Sequence, residues 1–195
     1  MHHIYQTEAL VVRGANTGEA NRFYFLFTKD LGMLMASAQG VRLLKSKLRY
    51  SLQDFSRSKV SLVRGKTGWR ITSAGEIENF FAVFGKEQKK IELVVRVFSL
   101  IKHLLAGEEK NAPLYVLLRD GFDFLKNEIT GEQLKNFECL LVLRILGNLG
   151  YFGTEKFQSF IESGEWSFDL LSLFDPLRNE ALRGINSSLQ ASSLL

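Results

Sequence analysis

The sequence changes its hydrophobic period once, near residue 80, and this change limits the folds that the chain can adopt. Before residue 80, short apolar segments alternate with turn residues, and their period of two is typical of β-strands. After residue 80, apolar residues recur three and four positions apart, as on one face of an α-helix. The sequence therefore predicts an α+β protein with a β domain at residues 1–79 and a helical domain at residues 80–195.

The first part contains five predicted strands, at residues 7–13, 22–28, 33–39, 56–64 and 69–78. Five strands in so short a segment form a small barrel or sandwich. The connection after the third strand, residues 41–55, has apolar residues at helical spacing, namely Leu44, Leu48, Leu52 and Phe55. We therefore predict a helix there, with its apolar face on the barrel and a basic face outward. This plan is that of the OB-fold, although a five-stranded SH3-like barrel fits the strand count equally well.

The second part contains helical patterns at residues 87–107, 113–127, 131–151, 155–163 and 176–190. The third of these segments is apolar nearly all round, as expected of a helix in the centre of a bundle. Its single cysteine, Cys139, is predicted to be a buried structural thiol, and one cysteine allows no disulfide within the chain.

Positive charge is concentrated in the first part of the chain. The chain has a net charge of +4, but residues 1–80 hold 12 Lys and Arg against 6 Asp and Glu. Between Gly40 and Arg70 there are nine basic residues and one acid, Asp54. Such an excess indicates a polyanionic partner, and the alternative is a solvated surface that keeps the protein soluble.

The segment Gly65-Lys66-Thr67 raises the possibility of a phosphate-binding loop. A Walker-type loop needs a further glycine five positions before the Gly-Lys pair, where this chain has Val60, and a helix directly after the Thr. The following residues alternate with a period of two instead, which predicts a strand. We interpret this segment as the turn of a β-hairpin, so nucleotide hydrolysis is not expected.

No constellation of residues for catalysis or metal binding stands out. His2 and His3 lie at the terminus, and His103 has no cysteine or acidic partner at ligand spacing. The apolar runs are too short to cross a bilayer, and the N-terminus lacks a signal-peptide pattern. We expect a cytoplasmic protein that is not an enzyme, has no cofactor and has no membrane partner.

Aromatic residues lie among the basic ones in the first part, as in proteins that stack nucleic-acid bases. Phe23, Phe25 and Phe27 share one strand face, so they are predicted to be core. The predicted exposed stacking platforms are Tyr24, Tyr50 and Trp69.

The first eighty residues resemble the N-terminal domain of the bacterial RecO family of recombination mediators. The matching positions are Thr7-Glu8-Ala9, Gly18-Glu19, Arg22, Phe27-Thr28, Gly32, Gly40, Arg42, Lys45-Ser46, Leu48-Arg49, Leu52-Gln53 and Phe55. Later similarities are patchier, and they include Arg64-Gly65, Ala74, Glu76, Phe137-Glu138, Leu149-Gly150-Tyr151 and the ending INSSLQASSLL. The resemblance implies an N-terminal OB-fold followed by a mainly helical domain.

The resemblance also implies a function in DNA repair. Family members bind single- and double-stranded DNA, anneal complementary strands, and work with RecR to load RecA onto strands coated by the single-strand-binding protein SSB, whose C-terminal tail is a further partner. We would then expect association with the nucleoid during repair. The positions carried over as phosphate contacts are Arg22, Arg42, Lys45, Lys47, Arg49 and Arg64. Lys66 and Arg70 are added on charge alone.

One segment departs from the family pattern. Many members carry four zinc-binding cysteines after the Leu-Gly-Tyr segment, whereas this chain has neither cysteine nor histidine there, so no zinc is expected. A different hypothesis is a protein-interaction adaptor that binds little DNA itself and whose basic segment is only solvated.

Overall fold

The computed structural model describes residues 3–105, 107–129 and 131–191. The chain divides into two compact units, Met1–Ala112 and Pro113–Leu195. The change from strand to helix falls between Asn79 and Phe80, where the sequence predicts it. The first compact unit extends beyond that point because it includes two helices after the last strand.

The five predicted strands are confirmed, and they form a closed barrel in the order β1-β2-β3-β5-β4. The strands β3 and β5 pair in parallel, and the other neighbours pair antiparallel. This topology, with a helical turn between β3 and β4, is that of an OB-fold. The strand bounds are β1 Ile4–Thr17, β2 Asn21–Thr28, β3 Gly32–Ala38, β4 Ser56–Gly65 and β5 Gly68–Asn79.

The hairpin interpretation of Gly65-Lys66-Thr67 is confirmed. Gly65 pairs with Gly68 across β4 and β5, which leaves Lys66 and Thr67 as a two-residue turn. Gly68 has φ +120°, a conformation that favours glycine. A strand follows the turn, so there is no helix N-terminus to face a phosphate at this point.

The inner face of β2 differs from the prediction. Tyr24 and Leu26 lie in the barrel core, whereas Phe23 is exposed and Phe25 is half-buried. Phe27 is 0% exposed, as predicted. The strand is apolar on both faces, so its alternation does not reveal which face is internal. The barrel has room for the Tyr24 ring because its register partners, Gly14 and Ala36, are both small.

The predicted helix over residues 41–55 is wrong except for one turn, α1 Leu48–Ser51. The preceding residues form successive turns, in which the amide of Leu43 donates to Gly40 and that of Ser46 donates to Leu43. The apolar residues therefore do not form one buried stripe. Leu52 is 0% exposed in the barrel core, whereas Leu44 is 83% exposed.

The five predicted helical segments of the second part are confirmed, with slightly different bounds. Two short helices, α2 and α7, were not predicted. The helix bounds are α2 Phe80–Phe84, α3 Gln88–Leu104, α4 Ala112–Phe124, α5 Gly131–Asn148, α6 Glu155–Glu162, α7 Phe168–Phe174 and α8 Arg178–Ala191, with a 3-10 turn at Asp175–Leu177. No helix within the described ranges has the length and apolar character needed to cross a bilayer.

The helix α5 is the most deeply buried helix of the second unit, and it buries a charged residue as well as apolar ones. The Arg144 Nε donates a hydrogen bond of 2.8 Å to the carbonyl of Phe160. The Arg144 guanidinium carbon lies 4.2 Å from the centre of the Trp166 ring. Burial lowers the pKa of Arg144 to about 10, so its side chain stays charged at neutral pH.

We predict that Leu52→Ala and Leu44→Ala have very different effects on stability. Leu52→Ala removes a buried side chain and leaves a cavity, which should lower the free energy of unfolding by about 2–5 kcal/mol. Leu44→Ala removes an exposed side chain and should change that free energy by less than about 0.5 kcal/mol. Urea denaturation of both variants checks this, and equal losses would contradict the observed path of the segment.

We also predict that the Cys139 thiol resists modification in the folded protein. Burial raises its pKa to about 12, so the reactive thiolate is scarce at neutral pH. The thiol should react with a disulfide reagent much more slowly at pH 8 in buffer than in concentrated urea. Similar rates in the two conditions would mean that α5 opens readily.

Candidate nucleic-acid interface

The segment between β3 and β4 carries the highest local charge of the first unit. We call residues 40–53 the basic loop. It contains four cations and no acid, and all four cationic side chains are exposed: Arg42, Lys45, Lys47 and Arg49.

The start of the basic loop is fixed to the turn between β1 and β2. The Gly40 amide donates to Asn21 Oδ1 over 2.9 Å, and the Arg42 amide donates to the Ala20 carbonyl over 3.0 Å. The Arg42 side chain donates to the Gly18 carbonyl, also over 3.0 Å. Arg42 therefore carries an exposed charge and also joins the basic loop to the turn between β1 and β2.

The end of the basic loop is fixed to the barrel. Leu52 lies in the core, and the Ser58 hydroxyl donates to the Ser51 carbonyl over 2.6 Å. Phe55, just after the loop, donates its amide to the Val11 carbonyl over 2.8 Å. Phe55 has φ +62°, a left-handed conformation that is uncommon for a residue other than glycine.

Three cations of the basic loop have no salt bridge to any residue that the structure describes. They are Lys45, Lys47 and Arg49. Their positive charge is therefore not neutralised locally, and they can contact an external anion without first breaking an ion pair. A phosphate backbone is the polyanion that such a surface suits best.

Arg22 lies beside the basic loop but is already partly engaged. Its β3 register partner is Ala38, two residues before Gly40. Its guanidinium lies 3.6 Å from Asp54 Oδ1 and 5.2 Å from the centre of the Tyr24 ring. Binding of a phosphate to Arg22 would compete with these contacts, and its assignment stays a prediction.

The hairpin cations are not all close to the basic loop. Arg70 is exposed on β5 and pairs with Ser37, near the end of β3 from which the loop begins. Lys66 is exposed in the hairpin turn, two residues before β5 begins. Arg64 forms a salt bridge with Glu108 and lies 5.2 Å from the centre of the Trp69 ring.

Two of the three predicted stacking platforms are not exposed, so that expectation is wrong for them. Tyr24 is 1% exposed and Trp69 is 6% exposed, and both belong to the barrel core. Burial raises the pKa of the Tyr24 hydroxyl, while the neighbouring Arg22 guanidinium acts in the opposite direction. Rings that are enclosed in this way cannot stack on a base without opening the barrel.

The third platform is confirmed as an exposed ring. Tyr50 is 65% exposed on α1, within the basic loop. The outer face of β2 and β3 adds the exposed apolar residues Phe23 and Met35, which the sequence did not indicate as surface residues. The polar residues Arg22 and Thr28 share the strand face of Tyr24 and Leu26, so the sequence pattern favoured Phe23 and Phe25 as core residues.

An exposed ring beside several unpaired cations can bind phosphates and stack bases at the same time. The described residues contain no group of three or more His, Cys, Asp or Glu side chains positioned to hold a metal ion. The barrel topology places the first unit in the OB-fold class of domains.

Comparison with known proteins agrees with this class. Residues 1–81 match the family model described as "Recombination protein O N terminal". The chain is 34% identical over 154 residues to DNA repair protein RecO of Heliobacterium modesticaldum, covering 76% of this chain and 52% of that protein. It is 32% identical over 145 residues to DNA repair protein RecO of Dehalococcoides mccartyi, covering 74% of this chain and 57% of that protein.

Residues 1–81 therefore match the N-terminal domain of the RecO family, and the similarity to RecO proteins extends over about three quarters of the chain. The chain spans slightly more than half the length of these curated relatives.

Proposed function

We propose that this protein is a DNA-binding recombination mediator that acts in DNA repair without catalysing a reaction. The observation that carries the proposal is the basic loop, an anchored segment with four exposed cations and no acid. Its phosphate contacts supply affinity for both single- and double-stranded DNA, because they depend on the backbone charge and not on the bases.

The same surface accounts for annealing of complementary strands. Two single strands repel each other through their phosphates, and cations that contact both strands lower this repulsion. Tyr50 can hold an unpaired base by stacking, and the base leaves the ring when it pairs with its complement. Annealing then requires no bound nucleotide and no metal.

The partners in this proposal come from the similarity to RecO proteins. The protein acts with RecR to load RecA onto strands coated by SSB, and it contacts the C-terminal tail of SSB. The site of action is the bacterial cytoplasm, at the nucleoid. The relatives' names support a role in DNA repair. The exposed cations of the basic loop support the DNA-binding step of that role.

We predict that Lys45→Ala/Lys47→Ala/Arg49→Ala weakens binding of a fluorescent single-stranded oligonucleotide by roughly 10- to 100-fold at low salt. The logarithm of the binding constant should also depend less steeply on the logarithm of salt concentration, by about 2, because each lost contact removes about 0.7 from the slope. Fluorescence anisotropy across a salt series measures both quantities. Arg42 is kept in this variant because it holds the start of the loop.

The matched control is Lys86→Ala/Lys89→Ala/Arg183→Ala, which removes the same charge from exposed positions elsewhere. This control should change affinity and slope much less than the loop variant. Equal losses in the two variants would show that only net charge matters. Negligible binding by the unmodified protein at low salt would instead favour the protein-interaction adaptor, which makes binding of an acidic peptide the next measurement.

We also predict that Tyr50→Ala weakens binding of single strands but not of duplex. Stacking of one base contributes about 1–3 kcal/mol, so the loss should be roughly 5- to 150-fold. Tyr50→Phe retains a ring and should bind like the unmodified protein. An equal loss for single strands and duplex in the Tyr50→Ala variant would mean that the ring contacts the backbone and stacks on no base.

A further inference from the structure

A groove of about 350 Å³ lies between β1, the residues just before β4, and the last turns of α3. Its floor is apolar, and its lining includes Val12, Phe55 and Phe98. Its volume lies at the small end of the range for ligand sites, about 300–1,000 Å³. All of its walls belong to the first compact unit.

Two cations that can bind an anion line this groove. They are Arg13 on β1 and Lys102 in the last turn of α3, where His103 lies next to Lys102. The His103 Nδ1 lies 2.7 Å from the Ser99 carbonyl, which can only accept a hydrogen bond. The Nδ1 therefore carries a hydrogen, and the Nε2 of the neutral ring is a hydrogen-bond acceptor that does not bind an anion.

Arg13 and Lys102 are both neighbours of Phe25. Arg13 is the register partner of Phe25 on the neighbouring strand. The Lys102 Nζ lies 4.6 Å from the centre of the Phe25 ring. The two cations thus flank the same side chain, although they are far apart in the sequence.

The acid in the groove does not cancel these charges, because its carboxylate already has partners. Asp54 Oδ1 accepts a hydrogen bond of 2.9 Å from the Gly14 amide and lies 3.6 Å from the Arg22 guanidinium. Among the described residues, neither Arg13 nor Lys102 forms a salt bridge. The groove therefore has a net positive rim above an apolar floor.

A purely structural role for these cations would involve the end of α3. Cations in the last turn of a helix interact favourably with its dipole, and Lys102 lies there. Arg13 is on a strand, and the helix dipole does not explain its presence at the same groove. The combination of a strand cation, a helix cation and an apolar floor points to a ligand with both an anionic and an apolar part.

We propose that this groove binds one unpaired nucleotide of single-stranded DNA. The phosphate contacts Arg13 and Lys102, and the base lies against the apolar floor. This inference rests on the proposed DNA-binding function and extends it, because a base that is paired in a duplex cannot enter the groove. The groove thus adds a preference for single strands that the basic loop alone does not supply.

The test compares Arg13→Ala/Lys102→Ala with Lys86→Ala/Lys89→Ala, which removes the same charge at and before the start of α3. Anisotropy is measured with a fluorescent single-stranded oligonucleotide and with a duplex of the same length. The groove variant should bind the single strand about tenfold more weakly and the duplex unchanged. Its salt dependence for single strands should be shallower by about 1.4.

Two further measurements separate ligand binding from folding. The charge-retaining variant Arg13→Lys/Lys102→Arg should bind single strands nearly as well as the unmodified protein. An oligonucleotide that carries 2-aminopurine should become brighter on binding the unmodified protein, because the base leaves its stack, and should brighten less with the groove variant. A structural role of the two cations would not produce this difference in brightness.

The outcomes distinguish this inference from the function on which it rests. Unchanged single-strand binding in the groove variant, together with weak binding in the basic-loop variant, would overturn the groove and leave the proposed function intact. Equal losses for single strands and duplex in the groove variant would also overturn it. Absence of DNA binding by the unmodified protein would overturn both.

Discussion

The pairing of β1 with β4 closes the barrel, and the rest of the first unit depends on it. Eight consecutive register pairs, from Ile4 with Val63 to Val11 with Ser56, join the two strands. Without them the sheet would have two free edges and an open core. The strand β1 also pairs with β2, and the register shift between Val11 and Arg13 lets one long strand serve both neighbours.

Closure of the barrel fixes the two strands between which the basic loop runs. Because β3 and β4 belong to the same barrel, the loop begins and ends at defined points and crosses the surface between them. Its buried residues, Val41 and Leu52, lie in the same core as the strands. Folding of the barrel therefore also positions the cations of the basic loop.

Much of the fold could be predicted from the sequence, because long periodic segments specify their own secondary structure. The five strands and the five longer helices could be predicted from the period of their hydrophobic residues. The helices α2 and α7 have five and seven residues, which are too few for such a period to be evident. It was harder to predict which face of a strand lies inside the barrel. Tyr24 is internal because Gly14 and Ala36 leave space for its ring, and this fact depends on the strand register, which no local pattern reveals.

The candidate site could be predicted only in part from the sequence. The excess of positive charge at Arg42, Lys45, Lys47 and Arg49 can be read directly from composition, and exposure of all four agrees with it. The helix predicted over residues 41–55 was wrong because Leu44 and Leu52 have the right spacing but different environments. Hydrogen bonds of Gly40 with Asn21 and of Ser51 with Ser58 decide the path of this segment, and both partners lie outside it.

The anchoring of the basic loop at both ends has a consequence for the thermodynamics of recognition. A flexible basic tail loses conformational entropy when it binds, and this loss offsets part of its electrostatic attraction. Hydrogen bonds at Gly40, Arg42 and Ser51 order the loop backbone during folding, before any ligand arrives. Binding through this loop should therefore have a smaller unfavourable entropy than binding through a disordered tail of equal charge.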